Sequence, residues 1–66
     1  MYNPNNLKAE ITRAGKTQKD VAAELGISEN TFSKKINSGS FGLDEANIMI
    51  DMLHIQNPGA VFFGRE

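Results

Sequence analysis

The sequence predicts an all-α domain of five short helices, and three observations carry that expectation. Apolar residues recur at intervals of three and four along almost every segment. No stretch alternates with the two-residue period of a strand. Cap residues and glycines punctuate the chain at helix-sized intervals. Sixty-six residues make one small domain, residues 1–66, with no repeat or linker inside it.

The first helix is expected to begin near Asn5 or Asn6, both favourable caps, just after Pro4. Its inner stripe is Leu7, Ile11 and Ala14, and Gly15 stops it. The second opens at Thr17, where Asp20 three residues on makes a shorter-armed relative of the capping box. Val21, Ala22 and Leu25 form its inner face, and Gly26 ends it. The third runs from Glu29 to about Asn37 behind the cap Ser28, burying Phe32 and Ile36. Ser38-Gly39-Ser40 is a loop. The fourth covers Leu43 to Leu53 with Gly42 as cap and Glu45 at its third position. Leu43, Ala46, Met49, Ile50 and Leu53 make its stripe. Asn57 then caps a last short turn that starts at Pro58 and carries Val61 and Phe62.

The join between the second and third helices is the most informative feature. Only Ile27 separates Gly26 from Ser28. A helix that stops at glycine and restarts within about three residues turns sharply, giving the steep crossing of a helix-turn-helix. Ala22 is small where the two helices approach, and Gly26 sits where the turn demands positive φ. Val21, Leu25, Ile27 and Phe32 clamp the pair. With those inward, Glu29, Asn30, Ser33 and Lys34 share the outer face at the amino-terminal end of the third helix, the end that a recognition helix presents to base edges.

Residues 17 to 37 resemble the helix-turn-helix of the phage-repressor family, the Cro and repressor type also called XRE. Leu43-Asp44-Glu45-Ala46 and Leu53-His54-Ile55-Gln56-Asn57-Pro58 look like that family's fourth helix and the lead into its fifth, so the resemblance covers essentially the whole chain. It implies a lambda-repressor-like DNA-binding domain. Glu29 and Asn30 match the family's first two base-reading positions, and Ser33 and Lys34 the later ones. Gln18 matches a glutamine that contacts phosphate, and Asn37 a loop asparagine that does the same. Thr17, Lys19 and Lys35 complete the expected phosphate contacts. Asn30 suits bidentate pairing with adenine, Lys34 donation to guanine, and Glu29 acceptance from cytosine N4. Glu29 and Lys35 depart from the family pattern, the first by being acidic and the second by standing where an apolar residue is commoner.

The net charge is −1, which opposes DNA binding, because phosphate contacts call for surplus lysine and arginine. The distribution softens that objection. Up to Ser40, Lys8, Arg13, Lys16, Lys19, Lys34 and Lys35 outnumber Glu10, Asp20, Glu24 and Glu29. From Phe41 onward, Arg65 stands against Asp44, Glu45, Asp51 and Glu66. The chain is a dipole with a modest basic half.

Other classes find little support. There is no cysteine for a disulfide or thiolate site. His54 lacks the companion ligands that a metal needs, and Gly39-Ser40-Phe41-Gly42 lacks the lysine and length of a phosphate-binding loop. Neither an enzyme, a metal nor a cofactor is expected. The polar start Met1-Tyr2-Asn3-Pro4-Asn5-Asn6 does not resemble a signal peptide, and no apolar run approaches a membrane span, so a cytoplasmic location is expected.

The expected function is transcriptional regulation through double-stranded DNA. A homodimer on a near-palindromic operator is expected, with Ile48, Met52 and Phe63 as its seam because they lie outside the core stripe. The alternative is an antirepressor-type interaction module that binds another regulator.

Overall fold

The computed structural model describes residues 2–63, which form five α-helices: α1 (Pro4–Arg13), α2 (Gln18–Leu25), α3 (Glu29–Ser38), α4 (Leu43–Leu53) and α5 (Pro58–Phe63). Among the described residues there is no strand, and no helix is long and apolar enough to cross a membrane.

Each start has a local cause. The α1 cap is Asn3, not Asn5 or Asn6 as the sequence suggests: its Oδ1 accepts from the Asn5 amide at 2.9 Å. Pro4 then takes the first helical position, where a missing N–H leaves nothing unsatisfied and the ring's fixed φ already suits a helix. Thr17 and Asp20 close a full capping box on α2. The Asp20 amide donates to Thr17 Oγ1 at 3.1 Å, and the Thr17 amide donates to Asp20 Oδ2 at 2.9 Å, so the shorter aspartate arm still reaches. Ser28 caps α3 by accepting from the Thr31 amide at 3.1 Å. Gly42 has no side chain to offer α4, and Glu45 supplies the return half alone, accepting from the Gly42 amide at 2.9 Å. Asn57 Oδ1 accepts from the Ala60 amide to start α5.

The helix ends fall into two kinds. α1, α2 and α4 each close through a left-handed residue (Gly15, Gly26, His54), followed by an amide that reaches back five residues: Lys16 to Ile11, Ile27 to Ala22, Ile55 to Ile50. α3 ends on left-handed Gly39 without such a bond. Its Ile36 carbonyl is met instead by the phenol of Tyr2, which donates to it at 2.6 Å. The Tyr2 ring lies so close over Gly39 that a Cβ there would fall 2.8 Å from Tyr2 Cδ2.

The core takes Leu7 and Ile11 from α1, Val21 and Ala22 from α2, and Phe32 and Ile36 from α3. Ala46, Met49 and Leu53 come from α4, with Ile55, Val61 and Phe62 closing the far end. Leu25, Ile27 and Ile50 are packed against it but only partly covered. Leu43 departs from its expected place in the stripe. It is 76% exposed, because it stands at the first turn of α4, short of where Ala46 and Met49 meet the core. Phe41, in the preceding loop, fills that corner, with its ring 6.0 Å from Phe32 and edge-on to Phe62 at 6.1 Å. At the opposite end, Arg13 donates from Nη2 to the Leu53 carbonyl at 2.9 Å and to the His54 carbonyl at 3.4 Å. A guanidinium from α1 thus satisfies the last carbonyls of α4.

Gly26 and Gly39 share the same backbone strain but not the same surroundings, since nothing approaches a Cβ at Gly26. Gly26→Ala is expected to cost about 1–2 kcal/mol, the left-handed penalty alone, and Gly39→Ala more. In a Tyr2→Ala background the excess at Gly39 should disappear, as urea denaturation of the four variants will measure.

Candidate nucleic-acid interface

Burial of Phe32 and Ile36 sets the rotation of α3 about its axis. Asn30, Lys34 and Asn37, at intervals of four and three, therefore form an exposed ridge one turn apart. Glu29 is exposed beside Asn30, and Ser33 is half-buried on the flank nearer the body of the domain. Three of the four expected base-reading residues, Glu29, Asn30 and Lys34, are exposed, and no hydrogen bond or ion pair within the described residues engages the side chains of these or of Ser33.

At the start of α2, Thr17 and Lys19 are exposed and Gln18 half-buried. The Thr17 hydroxyl accepts the Asp20 amide. The Asp20 carboxyl is held below its ordinary range, first by the hydrogen bonds from the Thr17 amide and hydroxyl, then by the fields of Lys16 and Lys19. It stays ionised and offsets part of the positive charge that those lysines bring.

Lys35 differs from the other expected contacts. It is half-buried, and its Nζ donates to Glu45 Oε1 at 3.3 Å. This contact ties α3 to the start of α4. Glu45 is held below the usual carboxylate range chiefly by the Gly42 amide, with Lys35 adding to it and partial burial opposing. Arg13 is likewise engaged, with its Nε donating to Glu10 Oε1 at 3.0 Å. Two residues counted in the basic half of the sequence thus have partners inside the fold.

The three expected seam residues do not come together. Ile48 and Met52 line a shallow depression of about 420 Å³ with Glu24 and Asp51. Phe63 lines a separate apolar groove of about 250 Å³, between Leu43, Phe41 and Phe62. The reason is helical phase: α4 turns Ile48 and Met52 toward α2, whereas Phe63 ends α5 beside the start of α4.

Tyr2 and Arg13 carry structural roles that the sequence does not announce. Each acts on a carbonyl more than 30 residues away. Burial against α3 raises the Tyr2 phenol above its ordinary range, keeping it a protonated donor. A third groove of about 540 Å³, between Asn6, Glu10 and Arg13 on one side and Gln56 and Asn57 on the other, is lined by none of the expected base-reading, phosphate or seam residues. Comparison with protein-family models, curated proteins and solved structures found no match to this chain.

The lowered values at Glu45 and Asp20 fix the sign of an acid response. A carboxyl depressed by folding contributes stability above its unfolded value, about 4.3 for glutamate and 3.9 for aspartate, and that contribution disappears as the pH falls through the folded value. The thermal midpoint should therefore drop below about pH 4, and Glu45→Gln with Asp20→Asn should flatten the drop. Lys35→Ala should retain most of it, because the Gly42 amide is the larger influence on Glu45. Thermal melts across that range, for the parent and both sets of variants, will report this.

Proposed function

We propose that this chain is a DNA-binding transcriptional regulator of the phage-repressor helix-turn-helix type, reading an operator through the major groove with α3. The observation that supports the reading is the outer side of α3. Its apolar residues are buried, whereas its amino-terminal half presents Glu29, Asn30, Ser33 and Lys34 as donors and acceptors with no task inside the fold. That half follows a sharp Gly26-Ile27-Ser28 turn from α2, whose own start offers Thr17, Gln18 and Lys19 for phosphate.

The charge pattern sets the character of the contact. Lys8, Lys16, Lys19 and Lys34 are the lysines outside the ion pairs among the described residues, so few phosphates are neutralised and the salt dependence is shallow. One module of this size makes few base contacts, and specific affinity calls for a larger interface. In this reading two copies occupy half-sites about 34 Å apart on a near-palindromic operator. Leu43 and Phe63, exposed around one apolar groove, suit the pairing surface better than Ile48 and Met52. The latter are flanked by Glu24 and Asp51, and a two-fold contact there sets carboxylates against one another.

A second reading, a module that binds another regulator rather than DNA, is favoured by that same acidic depression around Ile48 and Met52. Selection of bound sites from random DNA separates the two. Recovery of a near-palindromic site supports the regulator, and retention of no DNA at low salt favours the protein partner.

Asn30→Ala is expected to lower affinity for the selected site by about 1–3 kcal/mol and to relax one base position; an equal loss on random DNA would show that Asn30 reads no base. Gln18→Ala and Asn37→Ala should weaken binding to all DNA alike, with the consensus unchanged. Lys35→Ala should weaken it less than Lys34→Ala, since Glu45 already holds Lys35. Titrations of each variant on selected and scrambled duplexes will decide these points.

A further inference from the structure

The end of α3 is built unlike the other helix ends. α1, α2 and α4 each close on themselves with a backbone bond across a left-handed residue. At α3 the Gly39 amide reaches only the Lys35 carbonyl, and the Ser40 amide turns to the Ser38 hydroxyl. The Ile36 carbonyl is satisfied from outside the helix, by a residue 34 positions earlier.

That residue is itself fixed. Tyr2 directly precedes Asn3, the cap of α1, and Pro4, its first helical residue, so its backbone is held by the start of a helix whose Leu7 and Ile11 lie in the core. Its ring rests on Gly39, where no side chain intervenes. The phenol thus spans from the beginning of α1 to the last turn of α3. The carbonyl that it holds belongs to the peptide group joining Ile36 to Asn37. A planar peptide has no internal freedom, so fixing its oxygen fixes the direction in which the Asn37 amide and Cα leave it.

We propose that Tyr2 is a positioning residue for DNA binding: its hydroxyl orients the Ile36–Asn37 peptide and thereby sets Asn37 against a phosphate. The assignment rests on the DNA-binding reading given above. Tyr2 touches no nucleic acid in this scheme and acts through Asn37 alone. Asn37 is exposed at the end of the α3 ridge, where the helix is no longer held by Phe32 and only Ile36 anchors it from below.

The test is a double-mutant cycle between Tyr2→Phe and Asn37→Ala, read by equilibrium titration on a selected site and on a scrambled duplex. Tyr2→Phe keeps the ring on Gly39 and removes only the hydroxyl, so the domain remains folded, as circular dichroism will confirm. The expected result is a loss of about three- to tenfold on both duplexes, the range of one neutral hydrogen bond. In the Asn37→Ala background Tyr2→Phe should cause no further loss. A merely structural hydroxyl gives additive losses, which overturns the proposal, as does unaltered binding by Tyr2→Phe alone. A second measurement needs no DNA. The Asn37 backbone amide resonance should shift on Tyr2→Phe more than those of Asn30 or Lys34, and an unmoved Asn37 resonance overturns the proposal. If the parent retains no DNA, the functional reading fails and the positioning role with it. If the parent binds and only the cycle is additive, the positioning role alone fails.

Discussion

Across Gly26 the chain takes a φ of +74°, and the Ile27 amide bonds to the Ala22 carbonyl while Ser28 begins the next cap. Everything that α3 offers to solvent depends on this turn. It allows three residues, Gly26, Ile27 and Ser28, between the end of one helix and the start of the next, too few for the second helix to choose its direction. Ala22 lets the helices approach, Val21 and Phe32 fill the angle between them, and the rotation of α3 follows from which of its residues are apolar. A residue with a Cβ at position 26 meets no neighbour, so the demand is purely conformational.

Electrostatics act at two levels in this small domain. Inside the fold, Arg13 and Lys35 supply positive charge to places that need it: the carbonyl end of α4, where the helix dipole is negative, and the carboxylate of Glu45 at the start of the same helix. α4 is thus stabilised at both termini by partners from α1 and α3. Outside, the lysines with no ion pair among the described residues all precede Phe41, together with Glu24 and Glu29, whereas Asp44 and Asp51 follow it. The net charge of −1 therefore hides an uneven distribution along the chain.

Legibility from the sequence followed the range of the interaction. Thr17 with Asp20, Ser28, Gly26 and Asn57 act within a few residues of themselves, and each stands where local chemistry puts it. So do the bounds of α4 and the buried pairs Leu7–Ile11 and Phe32–Ile36. Asn3 was obscured because Asn5 and Asn6 are equally good caps by composition, and only the place of Pro4 distinguishes them. Leu43 has the right spacing for its stripe, but spacing does not say where a helix first meets the core, and Phe41 takes that corner from a loop with no periodicity. Within the candidate site, the outer positions of α3 follow from its buried ones. The commitment of Lys35 to Glu45, the separation of Phe63 from Ile48 and the reach of Tyr2 to Ile36 all depend on how distant segments dock, which no local pattern encodes.

The Tyr2 contact also has an optical consequence. The sequence contains one tyrosine and no tryptophan, so tyrosine absorbance and fluorescence from this protein originate at a single phenol. That phenol is hydrogen-bonded to the last turn of α3 and half-covered by it. The intrinsic emission of the unlabelled chain is consequently a local gauge of whether its amino terminus is seated on that helix, and it is readable without any added chromophore.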